Sequence, residues 1–276
     1  MNRINTCFDQ IKKNDKKALI PFITAGDPSS NLTVSIMHEL VRSGSDIIEL
    51  GIPFSDPMAD GPVIQRASER ALAQGTNTDD VFRIVKNFRS EDQKTPIILM
   101  GYLNPIEIMG YENFVNKASE VGVDGLIVVD LPLEESTRLQ EALKMRDLFQ
   151  IFLLSPTTIK ERLGKICEVA SGFLYYVSLK GVTGSDKLDI KLVEEKILQI
   201  QSKTKIPLEN QGTRDPRNHG IKDPSTAKAA GKISDAVVIG SALVKIIAEY
   251  SDNTDEMRKR IKSFMTTLRQ ALDSIS

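Results

Sequence analysis

Apolar and polar positions alternate along this chain in two distinct rhythms. Short, almost continuous apolar runs rich in β-branched residues predict strands: ALIPFITA (18–25), SDIIELG (45–51), TPIILMGY (95–102), VDGLIVVDL (123–131), FQIFLLS (149–155), SGFLYYVS (171–178), TKIPL (204–208) and SDAVVIGS (234–241). Between most of them lie stretches with apolar residues at three- and four-residue steps. In 31–43, Leu32, Ile36, Met37, Leu40 and Val41 form such a stripe, and 111–121, 134–146, 158–170 and 190–202 behave alike. Strands apolar on both faces belong to parallel sheets buried on both sides. Eight βα units in one chain predict an α/β fold, a (β/α)8 barrel, over a single domain of residues 1–276. A further amphipathic segment, 1–13, precedes the first strand and is placed to plug the barrel bottom.

Composition narrows the partners. With 36 Lys and Arg against 37 Asp and Glu, the net charge is −1. This lacks the basic excess that nucleic acid or an anionic membrane surface calls for. No apolar run approaches the 18 or so residues of a membrane span, and the polar N-terminus has no signal-peptide core, so a cytoplasmic location is expected. Cys7 and Cys167 lie far apart without metal-like spacing and read as buried thiols of a reducing compartment; His38 and His219 suggest no metal either.

In a (β/α)8 barrel the chemistry sits at the C-terminal ends of the strands. That rule singles out Glu49 near the end of the second strand and Asp60 on the loop after it. Phe22 and Thr24 end the first strand, Tyr102 and Asn104 follow the third, and Tyr175 lies in the sixth. A carboxyl group in an apolar mouth has a raised proton affinity, while one on a wetter loop stays ionised, a division that suits acid–base work. The structural reading is that Glu49 pairs with a buried cation, Asp56 caps a turn before Pro57 and Asp60 closes an Asp-Gly turn. Spacing alone leaves both open. Asp130, before Leu131-Pro132, reads as structural, and Asp46 and Asp124, just ahead of their strands, read as turn or cap residues at the barrel bottom. Glycine loops supply a second constellation. Gly240-Ser241 after the last strand suits a phosphate held by backbone N–H groups at a helix start, and GVTG (181–184) suits a lid that adds Gly184.

PFITAGDP (21–28), ELGIPFSDPMADGPVIQ (49–65), VDGLIVVDLPLEES (123–136), SLKGVTG (178–184) and IGSALVKII (239–247) together resemble the tryptophan synthase α-subunit family, in order and over nearly the whole chain. The resemblance implies cleavage of indole-3-glycerol phosphate to indole and glyceraldehyde 3-phosphate, with Glu49 and Asp60 as the catalytic pair. It implies an indole pocket walled by Phe22, Leu99, Tyr102, Ile127, Leu153 and Tyr175, with Thr183 as a further substrate-binding residue, and a phosphate site at Gly184, Gly220, Gly240 and Ser241. It also implies an α2β2 complex, contacted through Pro53, Asp56, Asn104 and Pro105, whose pyridoxal phosphate belongs to the β subunit. This chain itself would need neither metal nor organic cofactor. Sugar-phosphate isomerases and epimerases, the nearest rivals by fold, lack the ELGIPFSDP block.

The resemblance breaks at strand seven. Where the family has a glycine-rich strand end, this chain reads ENQGTRDPRNH between Leu208 and Gly220. Such residues are poor strand formers. A strand stub at 205–208 followed by an outward bulge is therefore expected, strand seven being shortened or distorted. The alternative keeps Asn210-Gln211-Gly212 in strand positions, and the phosphate glycine falls at Gly220 in preference to Gly212. The departure motivates a second functional reading, an impaired subunit that acts mainly as partner and activator of the β subunit.

Overall fold

The computed structural model describes residues 2–155, 157–177, 190–210 and 221–275. Nine strands, β1 (Ala18–Thr24), β2 (Ile48–Gly51), β3 (Ile97–Gly101), β4 (Gly125–Val128), β5 (Phe149–Gln150), β6 (Phe152–Leu154), β7 (Leu174–Tyr176), β8 (Leu208–Asn210) and β9 (Ala236–Ile239), form one parallel sheet. Its order is β5-β4-β3-β2-β1-β9-β8-β7-β6. The two ends of that sheet, β5 and β6, are consecutive stretches of chain separated only by Ile151, whose N–H donates to the Leu126 carbonyl at 2.9 Å. The nine strands are thus eight staves, and the barrel closes.

Around it lie α1 (Arg3–Lys13), α2 (Ser30–Arg42), α3 (Pro62–Ala73), α4 (Thr78–Arg89), α5 (Leu103–Met109) and α6 (Tyr111–Val121). They continue as α7 (Thr137–Lys144), α8 (Lys160–Val169), α9 (Ile190–Gln201), α10 (Pro224–Gly231), α11 (Ser241–Glu249) and α12 (Thr254–Asp273). The expected N-terminal plug is α1: Ile4, Phe8 and Ile11 pack with Ala18, Ile20 and Ala236 of the strands and with Phe173 just ahead of β7.

Alternation along each strand divides the core in two. Leu19, Ile23, Leu50, Leu99, Leu126 and Val237 face outward and pack against helices such as α2, α4 and α12. Ile20, Phe22, Ile98, Met100, Ile127, Tyr175 and Val238 face inward. Three aspartates latch the bottom. Asp46, Asp124 and Asp235, each just ahead of a strand, accept the N–H groups of Leu19, Ile97 and Leu208 on the neighbouring strand at 2.8, 2.8 and 2.9 Å. Asp46 and Asp124 are therefore the bottom cap residues their sequence contexts suggested.

The expectation for strand seven is corrected. The strand does not lie at 205–208 with a bulge after it; it starts at Leu208 and runs to Asn210, paired with β7 on one side and β9 on the other. Asp235 fixes its first N–H, and two settled neighbours supply ladder partners, which outweighs the weak strand preference of Glu209 and Asn210. Three residues is short, as expected. Residues 211–220 lie outside those described.

Candidate active site

The pairing register places the inward side chains in layers. Partners run Phe22–Glu49–Ile98–Gly125–Phe149 and then Leu153–Tyr175–Glu209–Ala236–Ala18. The path climbs four residues from Phe149 to Leu153 and four from Ala18 to Phe22, a stagger of eight over eight staves, the shear of a (β/α)8 barrel. A level line therefore advances one residue per stave. Reading along it, Phe22, Met100 and Leu153 share the layer nearest the mouth. Glu49, Ile127, Tyr175 and Val238 form the next, and Ile20, Ile98, Ile151 and Glu209 the one beneath. Glu49 and Tyr175 come from opposite staves of one layer and project towards each other. Both are wholly buried.

Asp60 approaches from the loop between β2 and α3. Its carboxylate accepts a hydrogen bond from the Tyr102 hydroxyl at 2.9 Å, and the same hydroxyl accepts the Ala59 N–H at 3.0 Å. The Phe54 ring stacks on Tyr102 with centroids 5.2 Å apart, so the end of β3 holds the loop at both ends. Phe22, Thr24, Met100, Tyr102 and Val129 surround a narrow pocket into which Asp60 points. The mouth thus carries one carboxyl sunk in an apolar layer and one half-exposed on a loop.

The structure brings together Glu49, Asp60, Phe22, Tyr102, Ile127, Leu153 and Tyr175. Leu99 is a correction: it faces the helix layer, and Met100, one residue on, lines the pocket. Period-two alternation counted back from Tyr102 identifies Met100. Thr183, Gly184 and Gly220 lie outside the described residues. Gly240 is the N-cap of α11 and Ser241 its first residue, with no side chain capping that end. Pro53 is buried and Pro105 half-buried, while Asp56 and Asn104 are exposed. Beside them stand two residues not singled out from sequence, Met58 (85% exposed) and Ile108 (80%), large apolar side chains held in water. Asp130 is structural, accepting the Leu103 N–H at the start of α5 at 2.8 Å. Burial pushes the Cys7 thiol up to about 12 and raises Cys167, so both keep their protons. Among the described residues no three His, Cys, Asp or Glu converge as metal ligands, and no helix is long and apolar enough to cross a membrane.

Comparison with known proteins agrees with this fold. The family model for the tryptophan synthase alpha chain matches residues 8–273. The tryptophan synthase alpha chain of Thioalkalivibrio sulfidiphilus is 49% identical over 273 residues, covering 99% of this chain and 100% of that one. The alpha chain of Marinobacter nauticus is 49% identical over the full length of both. A crystal structure of tryptophan synthase subunit alpha from Legionella pneumophila superposes with a TM-score of 0.90 at 45% identity, covering 99% of each chain. The match runs through the polar segment after Leu208, so the reading of an impaired subunit finds no support. The chain belongs to the tryptophan synthase alpha chain family.

Proposed function

We propose that Glu49 and Asp60 carry the carbon–carbon lyase reaction of this family, the cleavage of indole-3-glycerol phosphate to indole and glyceraldehyde 3-phosphate. The observation that supports it is the pair of acids in contrasting surroundings at one mouth, Glu49 in an apolar layer and Asp60 on the loop above. With the indole ring between Phe22, Met100 and Ile127, Asp60 accepts the ring N–H. Glu49 in its protonated form delivers its proton to indole C3, which makes the ring cationic, and the Asp60 carboxylate stabilises that charge. The Glu49 carboxylate left by that transfer takes the proton of the adjoining glycerol hydroxyl, which restores its starting form. The electrons of that O–H bond form the aldehyde, and those of the C–C bond return to the ring. No step calls on a metal; pyridoxal phosphate is assigned to the β subunit.

The phosphate is placed at the N-terminus of α11, where Gly240 and Ser241 present backbone N–H groups and the positive end of the helix dipole. Gly184, Gly220 and the Thr183 hydroxyl are assigned to the same substrate by the family resemblance. The exposed Met58 and Ile108, flanking Asp56, Asn104, Pro53 and Pro105, form the face for a β subunit in an α2β2 complex in the cytoplasm. Apolar side chains held in water beside the mouth gain free energy when a partner covers them.

Indole release from indole-3-glycerol phosphate by the isolated chain, repeated with β subunit added, tests the reading. Asp60→Asn should lower kcat/KM by roughly 100-fold, because an amide cannot offset the ring charge; a value within a few-fold of the unaltered chain would remove Asp60 from the mechanism. Gly51→Ala probes the wall. A Cβ on Gly51 would lie 2.6 Å from Phe22 Cζ and 2.9 Å from Cε2, driving that ring into the indole position. Its kcat/KM should fall by roughly 10- to 100-fold, most of it in KM, with the fold intact by circular dichroism.

A further inference from the structure

We propose that Gln65 is a positioning residue of this site, its side-chain amide tying the turn that carries Asp60 to the start of α3. The inference rests on the proposed charge-stabilising role of Asp60. Residues 57–60 form a four-residue turn in which the Asp60 N–H donates to the Pro57 carbonyl at 3.0 Å. Directly after it, α3 begins without a side-chain cap. Gly61 is the N-cap and makes no side-chain bond, and Pro62 at the first helical position has no N–H. The link runs the other way. Gln65, one turn into α3, sends its Nε2 back to the Asp60 carbonyl at 2.9 Å and to the Pro57 carbonyl at 3.4 Å.

An amide nitrogen carries two hydrogens, and here each has a carbonyl to meet. With the amide reversed, its oxygen would face two carbonyl oxygens, so these contacts also fix its orientation. The same turn is gripped from β3, where the Tyr102 hydroxyl accepts the Ala59 N–H and donates to the Asp60 carboxylate. Tyr102 thus holds the tip of the Asp60 side chain, while Gln65 holds the Asp60 carbonyl. Anchors on separate elements set both the place and the direction of a side chain, and removing one loosens it. From α3 the pocket beside Asp60 is lined by Ile64 and Ser68, not by Gln65, so the influence of Gln65 on the reaction passes through Asp60.

The test is indole formation from indole-3-glycerol phosphate by the full chain with β subunit, for Gln65→Met, Asp60→Asn and the double variant. Methionine matches glutamine in length and cannot donate. Gln65→Met should lower kcat by about ten-fold with a smaller change in KM, since the loosened carboxylate no longer meets the developing ring charge. In the Asp60→Asn background the same substitution should change kcat by less than about two-fold, because the group it positions is already gone. An equal fall in both backgrounds, or no fall in either, overturns the proposal. Gln65→Glu separates positioning from stability and replaces Gln65→Met in the cycle if that variant does not fold. Its carboxylate cannot donate, yet an anion in the first turn of a helix is favoured by the dipole. Tm should therefore hold or rise while kcat falls at least as far as in Gln65→Met. A fall of Tm and activity together marks a structural role and overturns the proposal, as does full activity. Full activity in Asp60→Asn alone would instead strike the reading of Asp60 and this inference with it, so the two failures are separable.

Discussion

Glu49→Gln should lower kcat for indole release by about 10²- to 10⁴-fold, the range that a positioned proton-transfer group contributes. The substitution is chosen for what it leaves alone. Glutamine matches the volume and planarity of the carboxyl, and the side chain is wholly buried, so packing against Ile127 and Val238 in its layer survives. What is lost is the capacity to take the glycerol hydroxyl proton. Substrate affinity should therefore change little, because the apolar wall and the phosphate site are untouched, and the loss should appear in kcat rather than KM. Single-turnover rates on the isolated chain measure this directly. A kcat within ten-fold of the unaltered protein would mean that another group moves the proton.

The positions of the candidate residues were largely legible in the sequence because the barrel imposes them. Glu49, Phe22 and Tyr102 stand at strand ends, and strand ends follow from apolar runs of limited length. Leu99 was misjudged against Met100 for a reason of phase: ILMG is apolar throughout, so composition does not say which residue faces in. Register does, since Glu49 pairs with Ile98 and fixes Met100 on the same face. Glu209 was illegible for a deeper reason. Strand preference is a weak local quantity, and at β8 it is overridden by two flanking strands and by the Asp235 latch, none adjacent in sequence. Met58 and Ile108 were missed because an apolar residue in a loop or helix turns outward only when nothing packs on it. That depends on the whole surface.

Asp124→Ala should destabilise the protein by roughly 3–5 kcal/mol, the cost of breaking a buried ion pair and stranding its cation. Asp124 is 2% exposed and satisfies three donors at once: Arg89 at 2.9 Å, Arg3 at 2.9 Å and the Ile97 N–H at 2.8 Å. Arg89, 5% exposed, also donates to the carbonyls of Gly122, Asp92 and Thr95, so it cannot swing out to water without breaking the turn that leads into β3. Burial pushes Arg89 down to about 10, which leaves it cationic at neutral pH and in need of its partner. Alanine removes the countercharge, and Ile97 loses the acceptor that sets the register of β3 against β4. Urea midpoints should fall at unchanged slope, and Tm should drop by roughly 6 °C or more. Because Asp124 lies at the end of the barrel opposite the mouth, kcat measured well below the new Tm should hold within about two-fold. Asp124→Ala combined with Arg89→Leu should recover part of the loss, since removing the stranded charge removes its desolvation cost. A double variant no more stable than the single one would show that the backbone latch on Ile97 and the three carbonyls bonded by Arg89 outweigh the stranded charge.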